Sequence, residues 1–312
     1  MNKNDMILGA SGVLVASTLW GTTGVAATFA PDVSPLAIGA AAMGIGGVLQ
    51  ALIALPQIAY SKSQIISQWK LLLVGSLAIM IYPLAFYSSM RLAGVAVGTV
   101  VSIGFAPIAS ALIEYFFDKK KLSKRFKAGA LLGITGATIL CIAKADTQLN
   151  YSLSALNSDV AGILLGIVAA TTYALYSWDA HRLMKLGIPA RAAMGTLFGV
   201  GGVFLFPTLI LTGKPFLYSW SNAAVGIYMA IIPMFFGYLC FGYGLARIPA
   251  SMATTISLFE PAVAAILAVV IVGEILPVAA WNGIALIICS LFVLTMPSVD
   301  LKSTLRKVYN RV

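Results

Sequence analysis

Charge is what this sequence has least of. Only 10% of its residues are charged, whereas a soluble globular chain carries about 25%, so an ordinary core with a charged surface is excluded. There is a single histidine, His181, which rules out a multi-histidine metal site. The three cysteines, Cys141, Cys240 and Cys289, stand singly inside apolar runs. They have neither metal-ligand spacing nor a disulfide framework, and each reads as a small packing residue. The chain also lacks a nucleophile with a base beside it, paired aspartates in a metal loop, and a Gly-rich phosphate loop ending in Lys-Ser/Thr. No enzymatic activity and no cofactor are therefore expected, and an intramembrane enzyme or sensor has nothing to support it.

What the chain does have is apolar length: 60% of residues are hydrophobic and the mean hydropathy is +0.96. The apolar residues fall in blocks near the ~20 residues that cross the hydrocarbon of a bilayer as a helix. Stretches such as Leu71–Tyr82 and Ala262–Val272 do not alternate, which excludes a transmembrane barrel. The expectation is an all-α membrane protein with ten transmembrane helices, at about 7–27, 35–55, 71–90, 95–117, 126–143, 159–178, 191–211, 222–244, 250–272 and 278–296. They are separated by Pro, Gly and charged breaks at Pro31–Pro35, Pro56, Gly94, Lys119–Lys127, Asp146–Ser158, Gly187–Pro189, Pro215, Pro249 and Pro277.

The 20 basic residues divide unevenly over the loops these spans create. Arg91, Lys144 and Lys214 lie on one side; the other 17 lie opposite, six of them between Lys119 and Lys127. The positive-inside rule then places both termini in the cytoplasm of a multi-pass inner-membrane protein. The net charge of +10 reads as topology and contact with lipid headgroups, not as nucleic-acid binding. The first apolar run, Met6–Ala30, carries only Lys3 and Asp5 before it. It reads as a retained helix rather than a cleaved signal, since its removal would scramble the charge pattern.

The two halves resemble one another at an offset of about 154 residues. MGIGGV (43–48) pairs with FGVGGV (198–203), IYPLAF (81–86) with IIPMFF (231–236), and LAGVAVGTVVSIGFAP (92–107) with LARIPASMATTISLFEP (245–261). TLWG (18–21) faces TTYA (171–174), which matches Trp20 with Tyr173. Each half holds five helices, an odd number, so the second is expected inverted: residues 1–147 form one repeat, 148–297 the other, and 298–312 a basic cytoplasmic tail. Inverted repeats with a site between them are the architecture of secondary transporters working by alternating access.

The ten spans, the five-helix halves, the "LWG" of the first helix and "EPAVAAILAVVIVGE" in the ninth together resemble the EamA-domain branch of the drug/metabolite transporter superfamily, over about 7–296. The resemblance implies a proton-linked or facilitated carrier of small metabolites, often an exporter of amino acids or related compounds. Two departures stand out. Lys120 occupies the position that matches Glu274 in the second half, and the second helix has no charged residue from Leu36 to Pro56, where many members have an arginine.

A carrier needs polar or aromatic groups at mid-membrane facing the bundle interior. The candidates for substrate contact are Trp20; Tyr82, Phe86 and Tyr87; Thr99 and Ser102; Tyr173 and Tyr176; Phe236 and Tyr243; and Thr254 and Ser257. Together they suggest an aromatic cavity with a few hydroxyls, suited to a small amphipathic solute. The plainer reading is that such rings pack between helices. Trp69, Trp220, Trp281, Tyr115 and Tyr218 sit at span ends as interface anchors. Glu114 is expected to pair with the basic loop, and Asp179 and His181 to form a solvated cluster at a helix end.

Pro107 and Pro261 break the same helix of each half and are the expected hinges. Glu260 matches Ala106 and so has no counterpart. It is either a local hydrogen-bond partner at the break or a protonatable coupling site. An exporter of organic cations using Glu260 as the proton and cation site is the alternative to a metabolite carrier. Gly129/Gly133 and Gly195/Gly199 are GxxxG pairs that permit close helix approach. The fifth and tenth helices are expected at the periphery, as scaffold or as the contact of a homodimer; a monomer is equally compatible.

Overall fold

The computed structural model describes residues 3–93, 98–145, 155–273 and 275–295. The Gly94 break, Glu274, the junction of the repeats at 147/148 and the 298–312 tail lie outside them. The described residues form an all-α protein in which eight helices are long and apolar enough to cross a membrane. They are α1 (Asn4–Thr28), α2 (Pro35–Tyr60), α3 (Trp69–Ala93), α4 (Val101–Asp118), α6 (Val160–Lys185), α7 (Ala190–Thr212), α8 (Trp220–Leu245) and α9 (Ala250–Ile271). The protein is therefore multi-spanning. Where ten equivalent spans were expected, the other two are of a different kind. Helix α5 (Lys124–Ala145) is basic at both ends, and the apolar stretch of α10 (Val278–Thr295) is short, Val278–Leu294.

Local chemistry sets the ends of these helices. Ser34 caps α2, its hydroxyl accepting from the Ala37 amide at 3.2 Å, and Pro35 sits as a first-turn proline. Ser219 caps α8 in the same way through Asn222 N at 3.1 Å. Gly187 (φ 91°) and Gly273 (φ 80°) reverse the chain after α6 and α9. Lys119 does so after α4 in the same left-handed region, at φ 53°. Pro56, Pro83, Pro207 and Pro233 lie inside helices. Around Pro233 the helix widens to π geometry over Ala230–Phe236. The π segment Val100–Gly104 adjoins the break in α4, and another, Ala268–Val272, lies at the far end of α9.

Lipid gives apolar helices no reason to prefer one another, so their pairing rests on close backbone approach at small residues. Helix α2 packs on α7 through Gly44 against Gly202 and Ala51 against Gly199. Helix α5 packs on α10 through Gly136 against Gly283 and Gly133 against Ser290. Both GxxxG pairs lie in these seams. Helix α4 meets α9 with Ser110 at Thr254 and Glu114 at Ser251. Helix α3 meets α6 with Gly75 at Asp179 and Ser89 at Gly166; α1 meets α8 with Gly12 at Cys240 and Trp20 at Gly237. In every pair one number rises as the other falls, so all five run antiparallel.

Gly47 shows how tight the α2–α7 seam is: a Cβ there would overlap the Phe198 carbonyl and approach Gly202 Cα at 3.5 Å. Gly24, by contrast, has nothing within 4 Å of such an atom. Gly47→Ala is expected to lower the unfolding free energy by about 1–3 kcal/mol, read by thermal unfolding in detergent. Gly24→Ala should leave it unchanged or raise it slightly.

Candidate functional site

Antiparallel seams leave room where large side chains replace the glycines. Trp20 of α1, Tyr82, Phe86 and Tyr87 of α3, Tyr173 of α6, Tyr238 of α8 and Glu260 of α9 line one cavity, together with Thr23, Gly39, Ala42, Met43, Pro83 and Met234. Its volume is about 30 Å3, room for about two water molecules. It is a contracted site.

The rings are organised around Trp20. Its indole N–H donates to the Pro233 carbonyl at 2.9 Å, so the π segment of α8 supplies the acceptor and α1 the donor. Gly237 permits the approach, since a Cβ there would lie 2.8 Å from the indole nitrogen. Tyr238 and Phe241 pack on the indole at 4.8 and 5.1 Å between ring centroids. Tyr173 meets it edge-on at 6.4 Å. Tyr82 stacks on Phe86 at 5.7 Å and tilts against Tyr173 at 5.6 Å. Gly39 accommodates Tyr87, whose ring carbons would lie 2.5 Å from a Cβ at that position.

Glu260 enters at the break in α9. The helix is α-helical over Ala250–Ile256 and again from Phe259, with Ser257 and Leu258 between. The broken turn is stitched locally: the Glu260 amide donates to the Ser257 carbonyl at 3.0 Å. The Tyr173 hydroxyl donates to Ser257 Oγ at 2.9 Å, and Ser257 Oγ donates to the Thr254 carbonyl at 2.8 Å. Pro261 falls in the first turn of the resumed helix, and Pro107 holds the like place in α4, which resumes at Ala106. The carboxylate of Glu260 lines the cavity, whose wall contains no Lys, Arg or His among the described residues.

Six of the residues singled out in the sequence (Trp20, Tyr82, Phe86, Tyr87, Tyr173 and Glu260) thus share one cavity. Ser257 touches it indirectly, through Tyr173. Tyr176 is fully buried just beyond, its hydroxyl bonded to that of Tyr238 at 2.8 Å. Thr254 bonds Ser110 across the α4–α9 seam at 3.1 Å. Ser102 is buried without a hydrogen-bond partner among the described residues, and Thr99 contacts the sulfur of Met90 at 3.4 Å. Phe236 and Tyr243 are 48% and 42% exposed and outside the cavity; Tyr243 is covered by the Arg247 guanidinium at 3.5 Å. The π segment of α8 explains the difference, because an extra residue in a turn rotates the later side chains relative to a regular helix. Tyr238 escaped the sequence reading for the same reason. Thr23 and Gly39 carried no periodic signal.

The end of the bundle that holds the α4–α5, α6–α7 and α8–α9 connections is closed by polar ties. Glu114, 1% exposed, accepts from Ser251 N at 3.1 Å, Ser251 Oγ at 2.8 Å and Lys120 Nζ at 2.7 Å. It therefore does pair with the basic loop, and also caps the start of α9. Asp118 accepts from Arg182 at 2.6 Å and from the Trp178 indole at 2.8 Å, and His181 bonds the Leu245 carbonyl. Asp179 and His181, expected in a solvated cluster, are instead buried at 0% and 8% exposure. They face α3 and α8, not the water beyond the helix end.

Apolar helices packed in antiparallel pairs around a small aromatic cavity make a membrane carrier. The chain belongs to the EamA-like transporter family, which matches residues 7–142 and 160–296. It is a secondary transporter of small molecules and not an enzyme. It is 30% identical to YwfM, an uncharacterized transporter of Bacillus subtilis, over 91% of this chain and 92% of that one. It is 28% identical to the threonine/homoserine exporter RhtA of Escherichia coli K12 over 38% of this chain and 39% of that one. A solved crystal structure with 20% identity superposes with a TM-score of 0.73, covering 94% of this chain and 96% of that one, which shows the fold.

Trp20→Phe keeps an aromatic ring but removes the donor to Pro233 and one of the two fused rings of the indole. The variant is expected to lose about 2–4 kcal/mol of stability, from the unpaired carbonyl and the void left among the rings, measured by thermal unfolding in detergent.

Proposed function

We propose that this protein exports small amphipathic metabolites bearing an amino group, such as amino acids or related solutes, by alternating access of two inverted five-helix repeats. The carrying observation is the cavity wall: one carboxylate, several aromatic rings and, among the described residues, no cationic side chain. Glu260 is suited to an ammonium group and the rings to a cation or an apolar side chain. The hydroxyls of Tyr82, Tyr87 and Thr23 can serve the polar remainder. RhtA and a probable terminal-alkyne amino-acid exporter of Streptantibioticus cattleyicolor, 25% identical over 59% of each chain, support the choice of amino acids and of export.

The repeat assignment, residues 1–147 and 148–297, is supported by the seams. Equivalent helices pack on one another antiparallel in α2–α7, α4–α9 and α5–α10, and the α3–α6 pair has its counterpart in α8–α1. This is the pattern of a twofold axis in the membrane plane. On this reading α5 and α10 are spans as well, bringing the count to ten. Their basic and short ends reach the headgroups by snorkelling. Both termini are cytoplasmic in an inner-membrane protein, and the contracted cavity faces outward. Pro107 and Pro261 are the hinges, and Glu260 couples transport to protons. Thr99, Ser102, Tyr176, Thr254 and Ser257 support the cavity wall, and Phe236 and Tyr243 reach substrate only in another conformation.

The purified protein in proteoliposomes should give saturable flux and counterflow with one or more amino acids picked out by a thermal-shift screen, since a bound ligand stabilises the native state. Flux that never saturates would sink the carrier reading. Glu260→Gln is expected to flatten the pH dependence of that flux; an unchanged profile in a folded variant leaves Glu260 a structural role. A second reading, export of organic cations, is favoured by the lone carboxylate among rings. It is upheld if Glu260→Gln abolishes cation export and spares neutral solutes.

A further inference from the structure

Outside the cavity, one further carboxylate is buried in a different setting. Asp179 of α6 is 0% exposed. Its side chain lies over the backbone of Gly75 in α3, in space that exists because residue 75 has no side chain: a Cβ at Gly75 would lie 2.6 Å from Asp179 Oδ2 and 2.7 Å from Leu197 Cδ2 of α7. The Gly75 amide is the polar group of α3 that faces the carboxylate, and no side chain among the described residues hydrogen-bonds either of its oxygens.

The surrounding charges have other partners, although Arg182 still acts on Asp179 through space. Arg182, on the same helix, is held by Asp118 of α4 at 2.6 Å. His181 turns to the Leu245 carbonyl of α8, and Lys185 lies one turn further on. Glu114 of α4 is satisfied by Ser251 of α9 and by Lys120. The residues facing Asp179 from α3 and α7, Gly75 and Leu197, carry no charge.

Glu114 shows how this fold treats a carboxylate that serves structure: Ser251 N, Ser251 Oγ and Lys120 all donate to it. Asp179 is held differently, by enclosure with only the Gly75 amide beside it. An ionised carboxylate with so little to receive it in so dry a place is disfavoured, whereas a neutral carboxylic acid is tolerated there.

We propose that Asp179 is a proton-binding site of the transport cycle, separate from Glu260, which holds a proton while this end of the bundle is closed and releases it to water on that side when α3 and α6 part. In the release the O–H bond breaks, its electron pair stays on the carboxylate, and the proton passes to water entering from the loop side. Gly75 is the positioning residue that leaves the carboxyl its place. The inference needs no substrate identity and stands whether the cargo is an amino acid or a cation.

Infrared spectroscopy of the full-length protein in lipid nanodiscs at neutral pH tests it. A component of the protonated carboxyl C=O stretch should be lost in Asp179→Asn and kept in Glu260→Gln. If Asp179→Asn removes only ionised-carboxylate bands, the proposal is overturned. Should that variant not fold, Gly75→Ala should shift the same component, and an unmoved component counts equally against the proposal. Exchange of the component into D2O reads the opening itself. Glu114→Ala, which loosens the closed end without freeing Arg182, should speed exchange about tenfold or more, the factor that loss of one charge-assisted hydrogen bond gives. Absent exchange, or a rate that Glu114→Ala leaves unchanged, would mark Asp179 as a buried structural acid and sink the proposal.

Discussion

Two helices in hydrocarbon gain nothing by hiding apolar surface from lipid, so the packing of this protein depends on how closely backbones can approach. Gly47 against Phe198, Gly136 against Gly283 and Gly237 against Trp20 are places where a single methyl group would collide with the neighbour. Those approaches draw the helices into antiparallel pairs and leave the bulky rings one shared region. The cavity is what remains where the seams stop being lined by glycine. Site and scaffold are thus settled by one distribution of small and large residues.

A second constraint acts on polar groups, since each one left without a partner inside the protein is costly. Three carboxylates show three outcomes. Glu114 is enclosed by donors and ties α4 to α9. Glu260 stands at a broken turn and borders the cavity. Asp179 is enclosed over a glycine, with that residue's amide beside it. Prolines obey the same logic: Pro233 sits in a widened stretch of α8, and a carbonyl in that stretch receives the Trp20 indole.

Much of this was legible in the sequence because it is written in one dimension. Apolar length marked the eight spanning helices within a few residues at most boundaries, and the GxxxG spacing marked faces of α5 and α7 that permit close approach, though not the helices that pack there. Trp20 and Tyr173, matched by the internal alignment, meet edge-on in the cavity wall. What was not legible depends on rotation and depth. Phe86 and Phe236 occupy matching places in IYPLAF and IIPMFF, yet one lines the cavity and the other lies outside, because a π segment turns the helix where periodicity assumes a constant step. Tyr238 was lost to the same assumption. Asp179 looked solvated because it lies near a run of basic residues; only the third dimension shows it turned inward, towards Gly75.

The dense layer between the cavity and the loop side has an electrical meaning. Tyr176, Phe198, Leu197, Leu183, Phe241 and Leu245 are all fully buried, a stack of rings and branched chains. A membrane that stores energy as ion gradients tolerates a carrier only if the resting protein is an insulator. A buried layer of this composition offers a proton few polar stepping stones, which suits a carrier that must sit idle without draining the gradient.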